Sequence, residues 1–202
     1  MPLWRAAQAL VLASRSAPRR AMLEAAGLPV ETSVPDLDER AVEAAAGPLG
    51  PTAAAVLLAR EKARAVARNK PGRLVVGADQ TLALGQRRFD KPRDRAAARA
   101  QLMVLSGNTH HLHSAVAVAC GDEVLFDAVD TASLTMRGLS DAFLDAYFDA
   151  AGAAVLESVG AYQLEKLGIH LFERIEGDHF TILGLPLVKL IAFLRQHGSL
   201  AG

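Results

Sequence analysis

The chain has 202 residues, 51% of them hydrophobic, and its 22 basic and 22 acidic side chains balance to a formal net charge of zero. That length and apolar content support a full core, in one domain or two closely joined lobes. The neutral balance excludes sequence-independent nucleic-acid binding through a broad basic face and leaves room only for a local cationic pocket.

In chain order, Ala9–Ala13 reads as a short buried strand that breaks into Ser14-Arg15-Ser16-Ala17-Pro18-Arg19-Arg20. Pro18 suits the first turn of a helix running to about Ala26, stopped by Gly27. Val30–Val34 predicts a second strand closed by Pro35, and Gly47–Pro51 breaks the chain. Thr52 is expected to cap a long helix to about Asn69, with Val56, Leu57, Ala63 and Val66 at helical spacing. Leu74–Ala78 is the clearest buried strand and is expected to end in Asp79. Asp94–Leu105 reads as a capped helix and His111–Cys120 as an alternating strand. Val124–Ala128 and Thr131–Met136 are weaker strands, Ser140–Phe148 a capped helix, Phe172–Ile175 a strand, and Pro186–His197 a closing helix. Strands and helices alternate, so a mixed α/β sheet is expected.

A single cysteine, Cys120, excludes an internal disulfide and a multi-cysteine zinc site and fits a reducing compartment. Its place at the end of an apolar run predicts a packed strand-end thiol rather than a nucleophile. The apolar core before Ala13 is short and runs directly into Arg15, Arg19 and Arg20, so a secretory signal is not expected. No apolar stretch approaches the roughly 20 residues of a membrane helix, and a cytoplasmic location without membrane or nucleic-acid partners is the expectation.

The chemistry-bearing residues gather at predicted strand ends and helix starts. A strand feeding a loop and then a helix aims free backbone N–H groups and the helix dipole at whatever sits in the turn, which favours an anion. Ser14 and Ser16 add hydroxyls, and Arg19 or Arg20 can grip phosphate oxygens in bidentate fashion. The plain alternative is an N-cap serine followed by solvated arginines. This is not a Walker loop, because its glycine spacing and Lys-Ser/Thr pair are absent. Asp79 can hold a divalent ion or orient an attacking water, or it can simply cap a turn. Asp36, Asp38 and Glu39 form a second acidic group that, joined to Asp79, would suit magnesium. Lys62 and Lys91 are phosphate-binding candidates or surface lysines. His110, His111 and His113 lie too close along one strand for a zinc triad.

Together these segments resemble the Maf family of nucleoside triphosphate pyrophosphatases nearly end to end. The matching pieces are Leu12–Ser16, Arg19, Pro35–Glu39, Arg60–Ala63, Gly77–Asp79, Lys91-Pro92, Leu105–Gly107, His110, Gly160–Tyr162, Phe172–Asp178 and Gly184–Pro186. The resemblance implies one Maf-like domain over residues 1–202. Its implied fold is a Maf/Ham1-like (ITPase-like) mixed sheet with flanking helices around a central cleft. It implies divalent-metal-dependent hydrolysis, with Mg2+ or Mn2+, between the α- and β-phosphates, giving the monophosphate and pyrophosphate. By position, Asp79 becomes the proton acceptor, Ser14, Ser16, Arg19, Lys62 and Lys91 hold phosphate, and Glu39 and Asp79 hold the metal. A homodimer is the family expectation.

Three positions track base preference in the family. Pro18, before Arg19, matches neither the arginine of the dTTP/UTP branch nor the tryptophan of the 7-methyl-GTP branch. Gln80 and Glu165 match the 7-methyl-GTP branch, and a carboxylate at 165 can accept hydrogen bonds from a guanine edge or offset a cationic base. Lys166 stands where the family generally has glycine. The expected preference is therefore 7-methyl-GTP. A dTTP/UTP enzyme is the rival within the family, and a nucleotide-binding regulator of septum formation with little turnover is the rival outside catalysis.

Overall fold

The computed structural model describes residues 3–202. Its elements in chain order are β1 (Leu10–Leu12), α1 (Ala17–Ala25), β2 (Val30–Thr32), α2 (Glu39–Ala46), α3 (Pro51–Ala67), β3 (Val75–Leu84), β4 (Arg87–Phe89), α4 (Arg95–Leu105), β5 (Thr109–Cys120) and β6 (Glu123–Met136). There follow α5 (Asp141–Ala151), three 3-10 turns (Gly152–Leu156, Val159–Ala161 and Leu167–Leu171), β7 (Phe172–Glu176), α6 (His179–Ile182) and α7 (Leu187–Gln196). They form two compact units. Among the described residues no helix is long and apolar enough to cross a membrane.

The first unit comprises residues up to Gln80, Ser114–Asp130 and His179–Gly202. Its strands follow the order β2-β1-β3-β5-β6, and β1 pairs in parallel with both β2 and β3. Strand β1 is an unbroken apolar run because both of its faces are buried. Leu10 and Leu12 point to one side with Val76, Ala78, Val116 and Val118, where α1 and α7 bring Leu23, Leu187, Leu190 and Leu194. Val11 and Ala13 point to the other side with Val75, Ala115, Ala117 and Ala119, against Ala55, Ala59 and Ala63 of α3. Each strand thus sends successive side chains to opposite faces. The two faces differ in bulk, with leucine and valine under α1 and α7 and mostly alanine under α3.

That small-residue face lets α3 lie unusually close to the sheet. At Gly77 an added Cβ would sit 2.1 Å from the Ala59 carbonyl oxygen and 2.6 Å from the Ala63 nitrogen. Asp79, two residues along β3, shares this face.

The second unit comprises Thr81–His113 and Thr131–Asp178. Here β3 turns through Gly85, at φ +59°, and pairs antiparallel with β4, Leu82 facing Phe89. On the other side β5 and β6 follow, and β7 pairs antiparallel with β6, Leu134 facing Ile175. Helices α4 and α5 are joined by Arg99, which donates to Asp141 at 2.6 Å and Asp145 at 2.7 Å. Behind them, His110 is fully buried, with its Nε2 2.8 Å from the Tyr162 hydroxyl.

The expected mixed α/β architecture is present, with four differences in detail. Strand β3 does not end at Asp79 but runs five residues further, so Asp79 lies inside a strand. Its polar stretch Asp79-Gln80-Thr81 stays in the strand because Lys62, Ser114 and the α6 carbonyls satisfy the first two of those side chains. Gly50, not Thr52, is the N-cap residue of α3, because Pro51 fits the first turn without needing its missing N–H. Helix α2 was not expected; Asp38 caps it by accepting from the Ala41 N–H at 3.1 Å, and it buries no residue that would have left a periodic pattern. The two weak strands after Cys120 are one, β6.

Candidate functional site

Strand β1 delivers the chain into the Ser14–Arg19 loop. Ser14 Oγ accepts the Ser16 N–H at 3.1 Å, folding the loop on itself, and Ser16 is the N-cap of α1, accepting the Arg19 N–H at 3.4 Å. Pro18 lies exposed in the first helical turn. Arg19 turns inward. Its Nε donates to the Gly184 carbonyl and its Nη1 to the Ala78 carbonyl, each at 2.8 Å. Burial lowers the pKa of this guanidinium from its ordinary value, opposed by the negative charges of Asp79 and Glu39. Arginine keeps its proton at any working pH, so this is a fixed positive charge set beside the catalytic candidates.

Lys62 is not the solvated surface lysine that its mid-helix position allows. It is 9% exposed, and its ammonium lies 2.6 Å from Asp79 Oδ1 and 2.9 Å from Glu39 Oε2. Three elements meet there: α3 supplies the lysine, β3 the buried aspartate and the first residue of α2 the more exposed glutamate. The close seat of α3 over Gly77 brings the lysine within hydrogen-bond range of the strand. A cavity of about 340 Å3 opens in front of Lys62, lined also by Ser14, Arg15, Glu39, Val34 and Pro35. Asp79 is not among its walls and sits behind the lysine.

Gln80, the next residue of β3, points to the opposite face. Its Nε2 donates to Ser114 Oγ at 2.9 Å and to the carbonyls of Thr181 and Ile182 at 3.1 and 3.0 Å.

Ser14, Ser16, Arg19, Glu39, Lys62, Asp79 and Gln80 therefore all belong to the first unit. Lys91 and Glu165 belong to the second, Lys91 just beyond β4 and Glu165 in the turn that the Lys166 N–H closes on the Gln163 carbonyl at 3.1 Å. Both side chains are exposed. Lys166 has φ −124°, outside the left-handed region that favours glycine.

The donor set suits a divalent ion of the magnesium type. One ammonium already spans the two carboxylates, and magnesium takes one or two carboxylates plus phosphate oxygens. Among the described residues no group of three or more His, Cys, Asp or Glu is placed to hold a metal ion.

Three contributors carry no role assigned from the sequence: Gly77 and Gly184, named only within matching segments, and Ser114. Gly77 was visible as an oddity, a glycine inside an apolar strand, which signals close backbone approach. Ser114 and Gly184 act through contacts far along the chain, and no local pattern reveals those contacts.

The Maf-like protein family profile matches residues 9–197. A "Nucleoside triphosphate pyrophosphatase" of Bradyrhizobium diazoefficiens is 58% identical over the whole of both chains. A "7-methyl-GTP pyrophosphatase" of Rhizobium meliloti is 49% identical over 95% of this chain and 97% of its own. Among solved structures, a HAM1 protein from Coxiella burnetii aligns at a TM-score of 0.48 and 17% identity, covering 93% of this chain and 98% of that one.

Proposed function

The chain belongs to the Maf-like protein family, and from that premise we propose that it is a nucleoside triphosphate pyrophosphatase, cleaving between the α- and β-phosphates and preferring 7-methyl-GTP. The observation that carries this reading is the Asp79–Lys62–Glu39 group beside the Ser14–Arg19 loop. A triphosphate needs fixed positive charge for its leaving pyrophosphate, and a water needs a base.

Asp79 is that base. Its carboxylate is nearly buried and held by one short hydrogen bond from Lys62, and it takes the proton of the attacking water. Lys62 turns toward a phosphate oxygen as the nucleotide enters, exchanging carboxylate for phosphate as its partner. Arg19 is anchored through Nε and Nη1 and faces the developing charge as a preorganised cation. The Ser14 and Ser16 hydroxyls and the Ala17 N–H receive phosphate oxygens at the start of α1, where Pro18 has no N–H and the Arg19 N–H is given to Ser16 Oγ. Glu39 and Asp79 would hold Mg2+ or Mn2+, which supplies Lewis-acid neutralisation of the phosphates.

The base preference rests on Glu165 and on the similarity to the Rhizobium meliloti protein named 7-methyl-GTP pyrophosphatase. 7-Methylguanine is cationic and carries hydrogen-bond donors on its Watson–Crick edge, both of which a carboxylate favours. Pyrophosphate release from 7-methyl-GTP, GTP, dTTP, UTP and CTP tests the preference, with Glu165→Gln alongside. The expected result is highest kcat/KM for 7-methyl-GTP and a loss confined to that substrate in the variant. Higher kcat/KM for dTTP or UTP would assign the chain to the pyrimidine branch.

A further inference from the structure

Gln80 occupies a position expected to read the base, yet its amide faces protein. Its Nε2 has three acceptors, Ser114 Oγ, the Thr181 carbonyl and the Ile182 carbonyl, which engage both of its hydrogens. The opposite amide orientation would press Oε1 against two carbonyl oxygens, so the contacts fix which way the group points.

The Thr181 carbonyl is the centre of this cluster. It accepts from Gln80, from the buried Ser114 hydroxyl at 2.6 Å, and from the Gly184 N–H at 3.0 Å. Gly184, at φ +95°, then turns its own carbonyl to Arg19 Nε. Arg19 closes the circuit by donating to the carbonyl of Ala78, two residues before Gln80 on the same strand. The Thr181–Gly184 segment is therefore tied to β3 on both sides of Asp79, directly by Gln80 and through the guanidinium of Arg19. The fit is close: a Cβ on Gly184 would lie 3.3 Å from Arg19 Nε.

We infer that Gln80 and Ser114 are positioning residues for Arg19: they hold the Gly184 carbonyl that aims the guanidinium, and they contribute to phosphate binding rather than to direct reading of the base. The inference rests on the proposed hydrolase only in taking Arg19 as a phosphate ligand.

Inorganic tripolyphosphate separates the two roles, because it carries the phosphate chain and no base. Its affinity is measured by titration calorimetry on the full chain, for wild type, Gln80→Met, Ser114→Ala, Arg19→Gln and the two double variants with Arg19→Gln. Thermal melts identify any variant that does not fold, and Ser114→Ala, the smaller change, carries the test if Gln80→Met is lost. The expected weakening for Gln80→Met is about tenfold, the factor corresponding to roughly 1.4 kcal/mol for one charge-assisted hydrogen bond. Ser114→Ala weakens binding by a smaller factor. In the Arg19→Gln background both effects fall within about twofold, since residues that act through one another are not additive.

Tripolyphosphate affinity unchanged in Gln80→Met, with the 7-methyl-GTP to dTTP selectivity shifted, would make Gln80 a base reader and overturn the inference. Equal losses with and without Arg19 would overturn it too, as would a wild type that binds no tripolyphosphate. Wild type that binds tripolyphosphate and shows the non-additive pattern, yet hydrolyses no nucleotide, would sink the hydrolase reading and leave the positioning roles standing.

Discussion

Gly77→Ala should damage both the fold and the site through one cause. The added methyl would sit 2.1 Å from the Ala59 carbonyl oxygen, 2.6 Å from the Ala63 nitrogen and 2.9 Å from the Ala63 Cβ. Ordinary contact begins near 3.4 Å, so α3 and β3 must part by about 1.3 Å, the difference between 3.4 and 2.1, to relieve the worst clash. The obstructing atoms are backbone and cannot swing aside as a side chain would. Overpacking of this kind costs about 3 kcal/mol or more, equivalent to a fall of roughly 6–12 °C in Tm for a chain of this size. Lys62 precedes Ala63 and Asp79 lies two residues past Gly77, so the same separation lengthens their 2.6 Å hydrogen bond beyond useful range. Urea denaturation reads the first effect and pyrophosphate release the second. Gly138→Ala is the control, since its Cβ would meet nothing within 4 Å; it should change stability by no more than about 0.5 kcal/mol. A Gly77→Ala protein with wild-type denaturation midpoint and wild-type turnover would refute the close-approach argument.

Ala161 adopts φ +61°, a left-handed backbone that disfavours any side chain. Ala161→Gly should raise stability by up to about 1 kcal/mol in denaturant titration; a destabilised variant would show that the Ala161 methyl contributes packing that outweighs the strain. His110 should make stability pH-dependent. Burial lowers its pKa from 6.5 to about 4, so between those values the unfolded chain binds a proton that the folded chain does not. The stabilisation is complete above pH 6.5 and is lost as pH falls toward 4, by roughly 3 kcal/mol in all. Unfolding free energies at pH 7.5 and pH 5 should therefore differ more in wild type than in His110→Gln, and equal pH slopes would contradict this. Lys62→Met leaves two carboxylates facing one another with no cation between them; stability should fall by about 3 kcal/mol with loss of turnover, both absent if Lys62 were a surface side chain.

The core was readable where burial wrote a local pattern. The apolar run Ala9–Ala13 and the alternation along His111–Cys120 locate β1 and β5, and the serine and aspartate caps at Ser16, Asp94 and Ser140 mark three helix starts. Strand β3 was cut short because Asp79-Gln80-Thr81 looks like a strand end when the partners that satisfy it lie at positions 62, 114 and 181. Lys62 looked like a solvated helix residue because its burial depends on alanines and a glycine that let α3 approach. The turns from Gly152 to Leu171 carry no period that sequence alone could detect. Candidate site residues stand out through ordered motifs, whereas the Thr181–Gly184 contacts to Arg19 and Gln80 are visible only in three dimensions.

Pyrophosphate release from the nucleotide panel, with Mg2+ or Mn2+, by wild type and Asp79→Asn side by side tests the central claim most directly. The account predicts turnover by wild type and a loss of about 10²–10⁴-fold in the variant, the span expected for removing a general base. An Asp79→Asn protein that keeps its rate, or a wild type that binds nucleotide and releases no pyrophosphate with either metal, would contradict it.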